Sequence, residues 1–380
     1  MQSETNIALF LPSLSGGGAE RVFVQLAGMF AARGLSIDLI VANSNGPWLS
    51  QLSKDVRLID LEKPKPSSAI WRLIKYLRRA RPQALMSALT HANITLAIAY
   101  CLSGIPGRCV LSERASVVAL AEEKSRWDYY LTKILCFVVY RWAHSVVAVS
   151  HAVAQELTEN LKIPKDYISV IYNPIEQAKI CALGRQPIKF PWNDHFPVII
   201  AIGRLHKQKN YRDLVRAFAQ LQSVKPSRLV ILGEGDERAS LEQLINDLDV
   251  ADKVWMPGFV DNPYAYLARS ELMVLSSSWE GLPNVLLESL ALNVPIVSTD
   301  CPSGPKEILG VGRYGKLVPI GDSTALTDAM KRSLDGEHPR FDLGEALSPY
   351  LPEIIVNQYL QLFGIQFLRS NIHANLSAGD

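Results

Sequence analysis

Hydrophobic and polar positions alternate along the first half of this chain in two periods. Short apolar runs rich in β-branched residues recur, and longer segments with apolar residues at every third or fourth position separate them. The short runs predict strands at residues 7–12, 36–42, 84–88, 108–113, 145–149 and 168–171. The longer segments predict helices at 19–32, 68–81, 127–143 and 152–161. Strands that alternate with helices favour βαβ units and a parallel sheet.

The same alternation restarts after residue 197. Residues 181–197 have no clear period and contain one glycine and three prolines, which is typical of a linker. Beyond it, the pattern predicts strands at 198–202, 228–232, 254–257, 272–275 and 295–299, and helices at 211–221, 239–248, 262–268 and 283–291. We therefore predict an α/β chain with two doubly wound domains, over 1–175 and 176–348. An amphipathic helix within 349–365 either caps the second domain or crosses back to the first.

Composition narrows the class of protein. The chain has 380 residues, 48% hydrophobic and 20% charged, which is a globular balance. Its longest apolar stretches, 94–102 and 134–140, are far shorter than the ~20 residues that a spanning helix needs. Residues 7–12 are typical of a buried strand, not of a signal peptide. Five scattered cysteines without metal or disulfide spacing favour a reducing compartment, and we expect a cytoplasmic protein.

The net charge of +2 is too balanced for a nucleic-acid-binding protein, but its distribution is uneven. Residues 1–175 carry 19 Lys and Arg against 13 Asp and Glu, a net +6, whereas the remainder carries 20 against 24, a net −4. Seven of the cations fall within residues 63–81 with no acid among them. This asymmetry indicates a negatively charged ligand or surface for the first half alone.

One polar cluster follows the strand predicted at 272–275. Pro283 stands where the next helix would begin, so Gly281 and Leu282 are predicted at a helix N-terminus, where free N–H groups attract phosphate. Glu280 precedes this turn and Glu288 lies inside the helix. Two carboxylates beside an anion site suit the hydroxyls of a sugar and a ribose. Taken alone, they are also typical of solvated acids.

A second cluster follows the strand predicted at 198–202. Gly203 ends the strand, and the next loop carries Arg204, a planar fork, and Lys209, a point charge. This pairing suits a diphosphate, although two solvated loop cations would look the same. Glycine turns at 233–235 and 257–259, with Gly235 and Phe259, follow two further strands and would let backbone approach a base or ribose. Because ligands bind at the carboxyl ends of such strands, we expect these clusters to converge on one nucleotide.

The ordered set of motifs resembles the retaining GT-B glycosyltransferases of family GT4, over almost the whole chain. The motifs are Gly16-Gly17-Gly18-Ala19-Glu20-Arg21, Gly203-Arg204-Leu205 with Lys209-Asn210, Gly233-Glu234-Gly235, and Glu280 with Glu288. The resemblance implies two Rossmann-like domains that face each other across a cleft, with the nucleotide-sugar donor on the C-terminal domain and the acceptor on the N-terminal domain.

By position, the resemblance also implies roles for single residues. Arg204 and Lys209 would bind the diphosphate, Glu280 a sugar hydroxyl, and Glu288 the ribose. His91 matches a position near the donor sugar, where it would orient or stabilise the transition state as a catalytic residue, or would be only a structural histidine. The remaining donor contacts would be Gly16, Gly17, Gly18, Gly203, Gly235, Phe259, Gly281 and Leu282.

Two cations and a helix N-terminus can stabilise a departing nucleoside diphosphate without a metal, so we expect no metal and no cofactor besides the UDP-sugar co-substrate. The single Asp-x-Asp, Asp247-Leu248-Asp249, ends an amphipathic helix and is typical of a solvated face. No carboxylate is an obvious nucleophile. We therefore expect same-face attack, in which the acceptor hydroxyl loses its proton to the departing phosphate.

The basic segment at 70–81 combines apolar residues at helical spacing with cations, as in helices that lie on anionic membranes or bind lipid diphosphates. An ordinary helix with a solvated basic face has the same pattern. Residues 127–142 add aromatic bulk that suits contact with lipid. Candidate acceptor or lipid-diphosphate contacts are Arg72, Lys75, Arg78, Arg79 and Arg114.

The resemblance thus implies a metal-independent hexosyltransferase. It would move a hexose or N-acetylhexosamine, with GalNAc or GlcNAc favoured, from a UDP-sugar to a polyprenyl-diphosphate-linked glycan at the inner face of a bacterial membrane. One alternative is a nucleotide-sugar epimerase of the UDP-GlcNAc 2-epimerase type, which would need acid/base groups and no acceptor groove. A second alternative is a non-catalytic sugar-nucleotide-binding protein.

Overall fold

A computed structural model describes residues 6–15, 17–116 and 126–365. The first of its two sheets has seven strands in the order β3-β2-β1-β4-β5-β6-β7, and the strand pairs with a defined register are parallel. The strands are β1 Asn6–Leu11, β2 Ser36–Val41, β3 Val56–Asp60, β4 Ala84–Ala88, β5 Arg108–Glu113, β6 Ser145–Ala148 and β7 Ile168–Val170. The helices between them are α1 Gly18–Ala31, α2 Ile70–Ala80, α3 Thr90–Ser103, α4 Arg126–Val139 and α5 His151–Leu161.

The second sheet has six parallel strands in the order β10-β9-β8-β11-β12-β13. Its strands are β8 Val198–Ile202, β9 Arg228–Leu232, β10 Val254–Gly258, β11 Leu272–Leu275, β12 Ile296–Thr299 and β13 Lys316–Val318. The helices of this half are α6 Gln177–Gly184, α7 Tyr211–Leu221, α8 Arg238–Asp247, α9 Pro263–Leu267, α10 Asn284–Ala291, α11 Pro305–Ile308, α12 Ser323–Leu334, α13 Leu343–Leu347 and α14 Pro352–Leu362.

The core of the second sheet explains why its strands read as continuous apolar runs. Strands of a parallel sheet that carries helices on its faces are buried on both sides. Strands β8, β9 and β11 are almost wholly buried, and α7 lays Leu214, Val215, Phe218 and Leu221 against them. Because β8 pairs with both β9 and β11, the carboxyl ends of these three strands adjoin at one edge.

The sequence pattern missed two strands, β3 and β13, and several helices, among them α6 and α12. Strand β3 is half-exposed, and β13 has only three residues at the edge of its sheet, so neither carries a long apolar run. Residues 177–184, partly predicted as linker, form α6, which buries Ile180 and Gly184. The parallel sheets and the α/β class are confirmed.

The chain divides into two compact units. One comprises the described residues of 1–112 with 138–146 and 353–365, and the other those of 113–137 and 147–352. In the first unit, α14 places Tyr359 and Phe363 against Phe30 of α1, with ring centroids 6.2 Å and 5.8 Å from that of Phe30. The boundary at residue 175 stays a prediction. Within the described ranges, no helix combines the length and apolarity needed to cross a membrane.

Candidate active site

Glycine turns join the carboxyl ends of β8, β9 and β10. The Leu205 N–H donates to Glu234 O at 2.8 Å, and the Gly233 N–H donates to Gly258 O at 2.9 Å. A Cβ on Gly233 would lie 2.0 Å from Gly203 O, and one on Gly235 would lie 2.2 Å from Leu205 O. Only glycine allows the loops to approach so closely. The turns predicted from the sequence therefore form one continuous surface at the strand ends.

Lys209 and Glu280 meet at this edge, although 71 residues separate them. Lys209 Nζ lies 2.6 Å from Glu280 Oε1, and the two side chains are 16% and 8% exposed. Ser277 Oγ donates to the same carboxylate oxygen at 2.6 Å, and Gln208 Nε2 lies 3.4 Å from the other. A buried ion pair with these additional hydrogen bonds has a fixed geometry.

The loops that carry this pair are tied to each other by backbone contacts. Ser276 Oγ donates to Lys209 O at 2.7 Å, and the Ser278 N–H donates to Gln208 O at 2.8 Å. Nearby, burial and then the charge of Glu280 raise the pKa of Cys301 to about 12. The Cys301 thiol therefore stays protonated at neutral pH and is not a nucleophile.

Arg204 extends from the same edge in a different way. Its side chain is exposed, and among the described residues it has no hydrogen bond or ion pair. One cation of the predicted diphosphate site is thus already neutralised by Glu280, whereas the other is available to an anion.

The turn before α10 differs from the prediction in one respect. The helix begins at Asn284, because Pro283 has an extended backbone, so Gly281 and Leu282 lie before the helix and not in its first turn. Their N–H groups nevertheless have no acceptor within the described part of the chain. A Cβ on Gly281 would lie 2.2 Å from Arg114 O, which explains why glycine is needed there. Two unbonded N–H groups beside Glu280 remain suited to phosphate.

Glu288 and Phe259 occupy the rest of this edge. Glu288 is buried inside α10, and Tyr264 Oη lies 3.5 Å from its Oε1. Phe259 follows β10 and is half-exposed. Their roles with ribose and base stay predictions.

The N-terminal glycine motif is described only in part, because Gly16 lies outside the described residues. Gly17 is the N-cap of α1 and Gly18 is its first residue. A Cβ on Gly17 would lie 2.1 Å from Glu20 Oε2, so the Glu20 carboxylate covers this helix end. His91 is the exposed second residue of α3, and the helix is preceded by Leu89, which has a positive φ.

Arg114 lies in a buried network that the sequence did not predict. It is 8% exposed, and its Nη1 donates to Asn173 Oδ1 at 2.5 Å. Asn173 Nδ2 in turn donates to Asn284 Oδ1 at 2.6 Å, at the start of α10. Arg114 therefore positions the turn that carries Gly281.

We expect Asn173→Ala to lower the free energy of unfolding by about 1–3 kcal/mol, because the buried guanidinium of Arg114 loses the Asn173 oxygen as an acceptor. Chemical denaturation measures the difference. The exposed helix residue Asn246, changed to alanine, is the control and should alter stability by less than about 0.5 kcal/mol. Equal stability of the two variants would contradict a structural role for the network.

The four candidate cations on α2 divide into two pairs. Arg72 Nη1 donates to Leu61 O at 2.6 Å and to Glu62 at 2.9 Å, and Arg78 donates to Leu102 O at 2.8 Å. Lys75 and Arg79 are exposed and have no partner within the described ranges. They line a shallow pocket of about 410 Å³ with Trp71, which is 78% exposed.

Helix α4 exposes an apolar face. Seven large hydrophobic residues that recur at helical spacing are at least about one-third exposed: Trp127, Tyr130, Leu131, Ile134, Leu135, Phe137 and Val138. Trp127 reaches 87%. Such a row on one helix is typical of an interaction surface. We call it the α4 apolar face.

Asp247 and Asp249 lie at the C-terminal end of α8, exposed and opposite the strand ends that carry Lys209. Gln243 Nε2 donates to Asp247 at 2.7 Å. Within the described ranges, no group of three His, Cys, Asp or Glu side chains could hold a metal ion. Independence from metals stays a prediction.

Two family descriptions match the chain, one on each half. "Glycosyltransferase Family 4" matches residues 16–179, and "Glycosyl transferases group 1" matches residues 185–347. Together they cover both sheets except β1, and every strand-end loop described above.

Curated relatives and solved structures are similar over most of the chain. The N-acetylgalactosamine-N,N'-diacetylbacillosaminyl-diphospho-undecaprenol 4-alpha-N-acetylgalactosaminyltransferase of Campylobacter jejuni is 29% identical, over 88% of this chain and 91% of the relative. The lipopolysaccharide core biosynthesis glycosyltransferase LpsE of Rhizobium meliloti is 29% identical, over 91% and 95%. Anabaena HepE in complex with UDP-glucose has a TM-score of 0.76 at 19% identity, over 94% and 99%, which is a similarity of fold.

Proposed function

Because this chain is a glycosyltransferase of family 4 with the GT-B fold, we propose that it moves a hexosyl unit from a UDP-sugar to a polyprenyl-diphosphate-linked glycan in bacterial glycan biosynthesis, with retention at the anomeric carbon. GalNAc or GlcNAc is the favoured unit. The observation that carries the proposal is the meeting of Lys209 with Glu280 beside the exposed Arg204. Cations for a diphosphate and an acceptor for a sugar hydroxyl are thus within one site.

On this proposal, the strand-end edge of the second sheet binds the donor. Arg204 and Lys209 contact the diphosphate. The N–H groups of Gly281 and Leu282, which have no acceptor within the described ranges, add donors without charge. Glu280 accepts from a sugar hydroxyl, and Glu288 from the ribose. Solved neighbours with this fold bind UDP and UDP-glucose, which supports the choice of UDP.

The chemistry needs stabilisation of the leaving group above all. As the bond between the anomeric carbon and the phosphate oxygen breaks, negative charge grows on the diphosphate, and fixed cations stabilise it. The acceptor oxygen attacks from the same face and passes its proton to the departing phosphate. We assign His91 to orienting the donor sugar, and we propose that no metal takes part.

The acceptor proposal rests on the basic first half and on the relatives. The name of the Campylobacter relative specifies a diphospho-undecaprenol acceptor. Lys75 and Arg79, which are free of partners within the described ranges, offer charges for a lipid diphosphate beside Trp71. Arg72 and Arg78 already donate to the protein, so we propose that they position α2.

We further propose that the protein works at the inner face of the cytoplasmic membrane, where the α4 apolar face contacts lipid. An apolar side chain gains about 25 cal/mol for each Å² that leaves water, and aromatic residues are favoured at the interface. Seven exposed hydrophobic residues on one helix supply that area.

We expect the double variant Trp127→Ser, Ile134→Ser to float with anionic liposomes at least tenfold less than the wild type, because two side chains no longer enter the bilayer. Val224 is 55% exposed outside this helix, and Val224→Ser is the control. The double variant should keep its activity on a short-chain, water-soluble acceptor. Flotation equal to that of Val224→Ser would argue against the α4 apolar face as the lipid contact.

One incubation tests the proposed reaction. The protein is mixed with a panel of UDP-sugars and polyprenyl-diphosphate glycans, and the products are measured by mass spectrometry. We expect the acceptor to gain the mass of one or more N-acetylhexosamines, and nuclear magnetic resonance to show the donor's α configuration in the product. A donor that changes without an acceptor would identify an epimerase, and no change in either would favour a binding protein.

A further inference from the structure

Tyr211, the first residue of α7, has a buried hydroxyl that we relate to the donor site, on the basis of the proposed function. Its ring is part of the second-sheet core and only 4% of the residue is exposed. Its hydroxyl oxygen is buried and has no hydrogen-bond partner within the described part of the chain. A buried hydroxyl without a partner is destabilising, and phenylalanine would pack the same core without that penalty. The hydroxyl therefore needs an explanation outside packing.

Gly203 gives the position of the hydroxyl. A Cβ on Gly203 would lie 2.9 Å from Tyr211 Oη and 2.9 Å from Lys209 Cε. The hydroxyl and the end of the lysine stem thus both lie against the same glycine. If Lys209 turns toward a bound diphosphate, the space that its stem leaves is next to Tyr211 Oη.

Such a turn of Lys209 would leave the Glu280 carboxylate without its ion pair. In the free protein it is held by Lys209, Ser277 and Gln208. Without Lys209 its carboxylate would remain buried and would lack one of its donors, which is costly. The burial of Tyr211 and the charge of Glu280 raise the pKa of the phenol, so the hydroxyl keeps its proton and can donate.

We propose that Tyr211 is a positioning residue of the donor-bound state: its hydroxyl donates to Glu280 when the donor diphosphate draws Lys209 away. The ion pair of the free protein is then exchanged for a phenol–carboxylate hydrogen bond. Glu280 keeps the orientation in which it accepts from the sugar, and Lys209 is released to the diphosphate.

This exchange has a signature that a structural tyrosine lacks. Tyr211→Phe removes no hydrogen bond from the free protein, so its melting temperature should equal or exceed that of the wild type. The same change removes a bond from the nucleotide-bound protein. Affinity for UDP, measured by calorimetry, should fall about tenfold or more, and UDP should raise the melting temperature less than in the wild type.

Two further variants identify the acceptor and control for a general effect. In a Glu280→Ala background, Tyr211→Phe should change UDP affinity less than twofold, because the acceptor is already gone. Tyr314→Phe, whose ring lies 5.1 Å from that of Phe341, should leave UDP affinity unchanged.

The outcomes separate this inference from the proposed function. If the wild type binds UDP and Tyr211→Phe binds it equally well, the inference is overturned and the proposed donor stands. A tenfold loss that persists in the Glu280→Ala background overturns Glu280 as the acceptor, and a lower melting temperature with unchanged UDP affinity overturns the positioning role. If the wild type binds none of UDP, GDP and ADP, both the donor site and the inference fall.

Discussion

Lys209→Met should lower kcat/KM for sugar transfer by about a factor of 10³, because the departing diphosphate loses a fixed positive charge. Arg204 alone cannot replace this positive charge. The diphosphate gains negative charge during the reaction, and one cation would then stabilise it instead of two. We expect the largest share of the loss in kcat, where transition-state stabilisation appears. Steady-state kinetics with the UDP-sugar identified by the panel measures both constants.

Lys209→Met should also lower the free energy of unfolding, and this effect must be separated from the loss of catalysis. Glu280 would remain buried without its ion pair, and removing one partner of such a pair costs about 3 kcal/mol. The double variant Lys209→Met, Glu280→Gln should regain most of that stability and none of the activity. Lys207→Met, two residues away and exposed, is the control and should keep wild-type activity. Activity that returns with stability would mean that Lys209 is only structural.

Glu280→Gln should separate nucleotide binding from transfer. In the free protein, Glu280 neutralises Lys209 at 2.6 Å. A neutral amide frees that ammonium for a diphosphate, so UDP should bind about fivefold tighter, which corresponds to about 1 kcal/mol. Transfer should nevertheless fall by about a factor of 10², because the sugar hydroxyl loses a charged acceptor. Calorimetry with UDP and kinetics with the UDP-sugar measure the two effects.

Glu353→Gln, an exposed residue at the start of α14, is the matched control for loss of a carboxylate. It should leave both quantities unchanged. If Glu280→Gln instead weakened UDP binding in parallel with transfer, Glu280 would be a structural support of the site and not the partner from which Lys209 is released.

The sequence predicted most of what the second sheet provides. Its apolar runs located β8, β9 and β11 to within a residue, because strands buried on both faces leave continuous patterns. The rule that parallel strands end at one edge then placed Lys209 and Glu280 near one ligand, and the structure brings them together. The family resemblance and the GT-B fold are confirmed by the comparisons.

What the sequence could not predict depends on contacts between distant side chains. The direct pairing of Lys209 with Glu280 in the free protein depends on the length of two loops, which periodicity does not encode. Asn173 bonds both to the buried Arg114 and to Asn284. Asparagines are common in loops, so the sequence does not distinguish these two from any others. Strands β3 and β13 were not predicted, because short or half-exposed edge strands lack a long apolar run. That the hydroxyl of Tyr211 has no hydrogen-bond partner among the described residues can be seen only in the folded structure.

A crystal structure of the protein with UDP would show where the diphosphate binds and whether Lys209 has left Glu280. We expect the diphosphate at the carboxyl ends of β8 and β11, with Lys209 Nζ about 3 Å from a phosphate oxygen and no longer paired with Glu280. UDP bound at another edge, or at this edge with the Lys209–Glu280 pair intact and no cation on the diphosphate, would contradict this expectation.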